Sequence, residues 1–329
     1  MDAWTVDRGS RTLVRRSVPA PEPGPRDLLV RVRACGVCRT DLHVVDEDIA
    51  PHRDRVIPGH QIVGDVTATG EDVTGFAVGD VVGIAWLRAT CGQCRHCRSG
   101  RENLCERATF TGWDADGGYA EYAVVDAAYA YALPPGADPL RIAPLLCAGI
   151  IGYRALTRAN LPPGGTLGIY GFGSSAHIAA QLAMASGARV FAMTRGERNR
   201  ELARELGAAF TGESHAVPPD LLDSAIVFAP AGELMTTALA ATVRGGTVVS
   251  AGIHMSPIPE FSYDDLLFGE RDLRSVTANT RADGDEFLRL AHRLDLAPEV
   301  TAYPFGEVDA ALDDLRADRS RGSLVIAME

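Results

Sequence analysis

The chain has 329 residues, 46% of them hydrophobic and 23% charged, a length and composition suited to two domains with packed cores. Its 32 basic residues stand against 43 acidic ones, and the resulting net charge of −11 argues against a nucleic-acid partner, because phosphate binding needs a basic surface. All the basic residues are arginines, which excludes Schiff-base and lysine-nucleophile chemistry.

The first 150 or so residues read as short β-segments cut by glycine and proline. Residues 28–34 alternate after a turn-rich stretch at 19–25. Residues 62–68 and 80–85 are strand-like between glycine-bearing turns, and 119–125 is similar. No long amphipathic helix is expected there, so this part is a mostly-β domain. From about residue 149 the texture changes. Strands at 166–170, 189–194, 224–229, 247–250 and 273–277 alternate with helices at 175–186, 197–206 and 234–243. Such alternation predicts βαβ units and a parallel sheet. Helices at 284–294 and 308–317 then precede a last strand at 323–327, which is expected to return to the first domain.

Residues 1–8 carry no apolar signal region, and no run of about 18 apolar residues occurs, so neither secretion nor a membrane partner is expected. Seven cysteines in such a chain point to a reducing compartment, the cytoplasm, where thiols bind metal or do chemistry more often than they pair. Cys91, Cys94, Cys97 and Cys105 have the spacing C-x2-C-x2-C-x7-C. Four thiolates on one glycine-bearing loop can close a tetrahedron around zinc and leave no room for water, which makes a structural site. His96 lies inside that loop but is surplus to four sulfurs and reads as solvated surface. Cys38, His60 and Cys147 are a different matter. No local spacing joins them, and on composition alone each is a core residue. Two sulfurs and one imidazole are nevertheless the donor set of an open zinc site.

Gly171-Phe172-Gly173-Ser174-Ser175-Ala176 follows the strand at 166–170 and opens a helix, the setting of a G-x-G-x-x-G/A dinucleotide fingerprint. Gly171 permits the tight turn, Gly173 lets backbone approach a pyrophosphate, and Ala176 keeps helix and strand close. His177, next on the helix, reads as packing or surface. The end of the second strand, where a carboxylate would hold a ribose 2′-hydroxyl, is Thr194, 21 residues after Gly173. With Arg195 and Arg198 beside it, NADP is favoured over NAD. Glu197 is the counterargument.

The motifs at 36–43, Gly59-His60, the four-cysteine loop with 102–105, the segment 117–122 and the turn at 171–173 occur in this order. Together they resemble the zinc-dependent medium-chain alcohol dehydrogenases over essentially the whole chain. The resemblance implies an α/β protein: a GroES-like mostly-β catalytic domain at 1–148, with a C-terminal return at 281–329, and a Rossmann domain with a doubly wound parallel sheet at 149–280. It makes Cys38, His60 and Cys147 ligands of a catalytic zinc and gives two zincs per chain. Thr40 would accept the alcohol proton, and His43 would pass it through the cofactor ribose to solvent. Asp41 would orient His60, Arg39 would contact the pyrophosphate, and Trp86 would line the substrate pocket, a core role being its alternative. Gln61 stands where many members carry Glu, and Ile151 where Thr is common. The implied reaction is reversible hydride transfer between a primary or secondary alcohol and NAD(P), in a homo-oligomer. A zinc-free quinone or enone reductase of the same superfamily, or a non-catalytic zinc- or nucleotide-binding protein, are the alternatives.

Overall fold

The computed structural model describes Met1–Met328, which form two compact units. The first takes Met1–Cys147, Ala278–Glu286 and Val300–Glu329; the second takes Ala148–Thr277 and Phe287–Glu299. Residues 281–329, read from the sequence as one return segment, are thus divided. Phe287 is wholly buried with its ring 5.9 Å from Tyr153, and this contact holds the 287–299 stretch in the second unit.

The first unit is built on a seven-stranded sheet. Its long central strand, Asp27–Val37, pairs antiparallel with Gln61–Thr69 on one side and with Ser323–Ala327 on the other, and also with Tyr122–Asp126. The C-terminal strand therefore completes the sheet that the first forty residues begin. Asp27–Val37 at first alternates buried residues with half-buried or exposed ones such as Arg31, then is buried without a break from Ala34 to Val37. That switch marks where the strand stops facing solvent and enters the core, directly before Cys38. A hairpin of Asp2–Asp7 and Leu13–Ser17, not foreseen from the sequence, forms a separate small sheet with Arg55–Val56.

The second unit is a six-stranded, all-parallel sheet. Its order is Phe210–Gly212, Arg189–Met193, Thr166–Tyr170, Leu222–Val227, Thr242–Ser250, Asp272–Ser275. Alternate side chains serve two apolar layers. Leu167, Ile169, Val190 and Ala192 join the layer that contains Ala155, Ala176 and Ala180 from two helices, while Tyr170, Phe191 and Met193 join Leu234, Met235 and Leu239 on the opposite face. Sheets covered on both faces read as near-continuous apolar runs, as 166–170 does. The strand order reverses beside Thr166–Tyr170, and the carboxyl end of that strand is where ligands bind in open α/β sheets. Among the described residues no single helix is long and apolar enough to cross a membrane.

Candidate functional site

The short Arg39–Val45 helix begins at Cys38, whose backbone N–H donates to the carboxylate of Asp41 three positions on at 2.8 Å. That bond satisfies one of the amide groups a helix start leaves unpaired. The same carboxylate accepts from the Gly59 amide at 3.2 Å and from the Tyr119 hydroxyl at 2.8 Å, and it lies 2.9 Å from His60 Nδ1. Asp41 is 1% exposed and His60 is wholly buried, so these bonds carry the solvation that water would otherwise give the charge. With Nδ1 engaged, His60 aims Nε2 at Cys147 Sγ, 3.3 Å away. The donor atoms of Cys38, His60 and Cys147 all lie within 4.8 Å of one another. Gly59 has φ +92°, and a Cβ there would come within 2.7 Å of the Tyr119 ring, so the turn that presents His60 demands glycine.

Electrostatics sharpen the cluster. A hydrogen bond from Cys147 outweighs burial and holds the Cys38 thiol well below its usual range, while the same bond and burial push Cys147 up. Burial works to keep His60 neutral, but Asp41 and the Cys38 sulfur raise it to about 10. An acidic sulfur beside a retained proton is a donor set in which a divalent cation can displace that proton.

Other residues expected at the site fall around this cluster. Thr40 is buried, with its hydroxyl 3.6 Å from Cys38 Sγ. His43 sits in the last turn of the same helix, its Nδ1 2.8 Å from the Asp48 carboxylate. Trp86 is buried with its ring edge-on to His60 at 4.8 Å between centroids, and it stacks on Phe110 and Trp113. Gln61 is buried and its Oε1 has no partner. Arg39 forms an ion pair with Asp318.

The second cluster is local. Cys91 and Cys97 sulfurs are 3.9 Å apart, and Cys94 and Cys97 sulfurs 3.5 Å. The edge of a tetrahedron with 2.3 Å zinc–sulfur bonds is about 3.8 Å. Backbone amides of Cys91, Cys94 and Cys97 point at the sulfurs of Cys105, Cys91 and Cys94 at 3.4–3.5 Å. Amide bonds from Gln93 and Cys94, joined by the Arg107 guanidinium, pull the Cys91 thiol down to about 5. His96 is half-buried rather than solvated: its Nδ1 is covered and unpartnered, and Arg95 donates to its Nε2.

In the second unit, Gly171 has φ +85°, and a Cβ there would stand 2.8 Å from the Ala229 amide. At Gly173 a Cβ would meet nothing within 4 Å, which leaves bare backbone at the start of the Ser174–Ala185 helix. Ala176 is wholly buried against the sheet. Thr194 is also buried, and its hydroxyl accepts the Phe172 amide at 3.3 Å; it braces the turn. Arg195 is exposed in the following turn and Arg198 is exposed in the first turn of the Glu197–Glu205 helix, whereas Glu197 is drawn back along that helix into ion pairs with Arg200 and Arg204.

Residues 24–135 match the family model for the alcohol dehydrogenase GroES-like domain, and residues 176–293 match that for zinc-binding dehydrogenases. A Mycobacterium tuberculosis protein named "Probable alcohol dehydrogenase AdhA" is 52% identical over 99% of this chain and 97% of its own length. The chain belongs to the zinc-dependent medium-chain alcohol dehydrogenases. Among solved structures, the acetophenone reductase of Geotrichum candidum in complex with NAD superposes with a TM-score of 0.90 at 29% identity, covering 99% of this chain and 96% of that one. The cobalt- and zinc-bound thermostable alcohol dehydrogenase of Pyrobaculum aerophilum superposes with a TM-score of 0.91 at 27% identity, covering 99% of each.

This alcohol dehydrogenase interconverts alcohols and carbonyl compounds with zinc and a nicotinamide dinucleotide. Its residues suit both groups. Two sulfurs and an imidazole whose far nitrogen is already oriented by a carboxylate are the donors an open zinc site uses. The bare Gly173 backbone at a helix start gives anionic oxygens room beside the positive end of the helix. Tyr119 and Asp48 were not singled out from the sequence as functional. Tyr119 stands inside the 117–122 motif, which was its one signal; Asp48 gave none.

Proposed function

We propose that Cys38, His60 and Cys147 hold the catalytic zinc and that Cys91, Cys94, Cys97 and Cys105 hold a structural one, giving two zincs per chain. The observation that carries this reading is the convergence of donors from positions 38, 60 and 147 within 4.8 Å. When bound, zinc at the open site supplies the positive charge that makes a substrate hydroxyl acidic, and NAD(P) exchanges the hydride. The chain's own residues do the rest. Thr40, against Cys38 Sγ, takes the alcohol proton on its hydroxyl and gives its own proton onward. His43 carries that proton toward solvent, its ring held through Nδ1 by Asp48. Asp41 keeps His60 Nε2 aimed at the ligand position. Gln61 adds no charge beside His60, so the cluster has less negative charge than one with Glu at that position. Trp86 supplies an apolar wall that keeps water from the reacting oxygen.

NADP is the favoured cofactor. Arg195 and Arg198 are exposed where a 2′-phosphate would come, and Glu197 is neutralised by two arginines. Arg39 would add a contact to the pyrophosphate by exchanging Asp318 for it. The substrates are small alcohols, aldehydes or ketones. Free thiols in both clusters suit the reducing cytoplasm. The exposed rings of Tyr263 and Phe268, just ahead of the edge strand Asp272–Ser275, support a homo-oligomer, dimer or tetramer, which light scattering resolves. Neither nucleic acid nor membrane is expected as a partner.

The test is a parallel titration with NADPH and NADH, and a panel of aldehydes, on protein of measured metal content. The expected result is two zincs per chain, tighter NADPH binding and carbonyl reduction. Cys38→Ser should abolish turnover and keep nucleotide binding; full turnover in that variant overturns the ligand assignment. Tight NADH with little NADPH binding overturns the cofactor preference.

A further inference from the structure

His177 lies one turn into the Ser174–Ala185 helix and is wholly buried, yet the reaction gives it no part. Both ring nitrogens are engaged. The Glu299 backbone amide donates to Nε2 at 3.1 Å, so Nε2 carries no proton. Nδ1 must then be the protonated nitrogen, and it lies 3.1 Å from the carbonyl oxygen of Gly173, to which it donates. That carbonyl already receives the His177 backbone amide at 3.1 Å. Two donors on one oxygen fix the plane of the peptide that joins Gly173 to Ser174, and with it the direction of the Ser174 amide at the mouth of the turn. One helical turn further on, Gln181 repeats the arrangement with its side-chain amide. It donates to the Ala297 carbonyl at 3.1 Å and accepts the Ala297 amide at 3.3 Å. The extended residues 297–299 are therefore stapled along the helix that the glycine turn opens, and the staple ends on the glycine itself. Burial lowers the imidazole to about 4, so the neutral form that this geometry requires is the one present near neutral pH.

We propose that His177 is a positioning residue for the dinucleotide: its neutral Nδ1–H imidazole bridges the Glu299 amide and the Gly173 carbonyl and holds the glycine turn in the shape that receives a pyrophosphate. The proposal rests on the reading of Gly171–Ala176 as the pyrophosphate turn. The part of the Glu299 amide is to set the tautomer, so that Nδ1 is the nitrogen that donates to Gly173.

Two replacements separate the halves of the bridge. His177→Asn keeps a donor near the place of Nδ1 and loses the acceptor for Glu299. His177→Gln keeps an acceptor near the place of Nε2 and loses the donor to Gly173. Calorimetric titration of NADPH and NADH into the full chain should leave the Asn variant within about twofold of wild type. The Gln variant should be weaker by about five- to tenfold, the worth of one buried hydrogen bond. A Gln variant that binds like wild type, or an Asn variant as weak as Gln, overturns the proposal. For the case in which a variant does not fold, nitrogen-15 histidine spectra of the wild-type chain supply a second measurement. The His177 ring should appear as the Nδ1–H tautomer and shift when NADPH is added; an Nε2–H tautomer, or a signal indifferent to NADPH, overturns it. A wild-type chain that binds neither nucleotide overturns the pyrophosphate reading and this inference together, whereas normal wild-type binding with the wrong variant pattern overturns this inference alone.

Discussion

Asp41 gathers His60, the Cys38 amide, the Gly59 amide and the Tyr119 hydroxyl on two oxygens. It is at once the cap of the helix that starts at Cys38 and the support of the imidazole. Replacing it with Asn removes the charge that holds the His60 ring while leaving most of the volume. Outer partners of ligand histidines are typically worth 10–100-fold in metal affinity. Asp41→Asn should therefore weaken zinc binding at the Cys38 cluster by about that factor in a chelator competition and leave the four-cysteine zinc in place. His177 sets a pH limit. Its folded value, about 4, is below the ordinary 6.5, so the stability it contributes is complete above 6.5 and is lost as pH falls toward 4. The total is of order 3 kcal/mol for a group this buried. Acid unfolding of wild type should thus begin below pH 6.5 with a proton uptake that His177→Asn lacks; equal uptake in both would refute it. At this scale the sequence was partly legible. Asp41 was reached only through likeness to a family, because His60, Gly59 and Tyr119, which it holds, come from other parts of the chain. Tyr119 is 78 residues from Asp41 and was readable only as part of a motif. His177 read as packing, since no sequence pattern shows that both nitrogens of a ring are taken.

The elements that matched expectation are those whose signal is short-range. Thr166–Tyr170 lies between two glycines and Ser323–Ala327 follows one, and both carry uninterrupted apolar cores. The Ala148–Ala159 helix was not foreseen. Its buried face is made of alanine, glycine and a single isoleucine at 148–150, 152, 155 and 159, too small in side chain to stand out as an apolar stripe. Thr242–Ser250 begins five residues before the apolar run that marked it, through Arg244 and two glycines that a strand pattern would reject. The parallel neighbour Leu222–Val227 imposes that extension, with a register shift between Leu222 and Ser224. The 91–105 loop is legible to the residue because its four sulfurs and the amides that point at them belong to one stretch of chain. Cys97→Ser should remove one zinc per chain and lower the melting temperature by about 5–10 °C, with metal content and thermal unfolding read on the same sample. Unchanged melting would mean that the lobe holds its shape without metal.

Over the whole molecule, two zinc-ready clusters coexist with opposite architectures. One draws its ligands from a single loop; the other needs positions 38, 60 and 147, with the His60 and Cys147 donors separated by 87 residues. The spacing of the first announced itself, while the second could be assembled only through likeness to a family, because convergence in space leaves no mark along the chain. Graded chelation should separate them: activity should disappear with the first zinc equivalent removed while circular dichroism stays unchanged, and simultaneous loss of both would contradict the division. The same contrast has a bearing on biosynthesis. A metal ion can be captured by residues 91–105 as soon as that stretch leaves the ribosome, for closing a short loop is entropically cheap. The other ion must wait until Cys147 has emerged and the sheet around Asp27–Val37 has formed, and that sheet recruits its neighbour Ser323–Ala327 from residues made much later. Cells starved of zinc during growth would then accumulate folded, inert enzyme that later addition of the metal could awaken without any refolding.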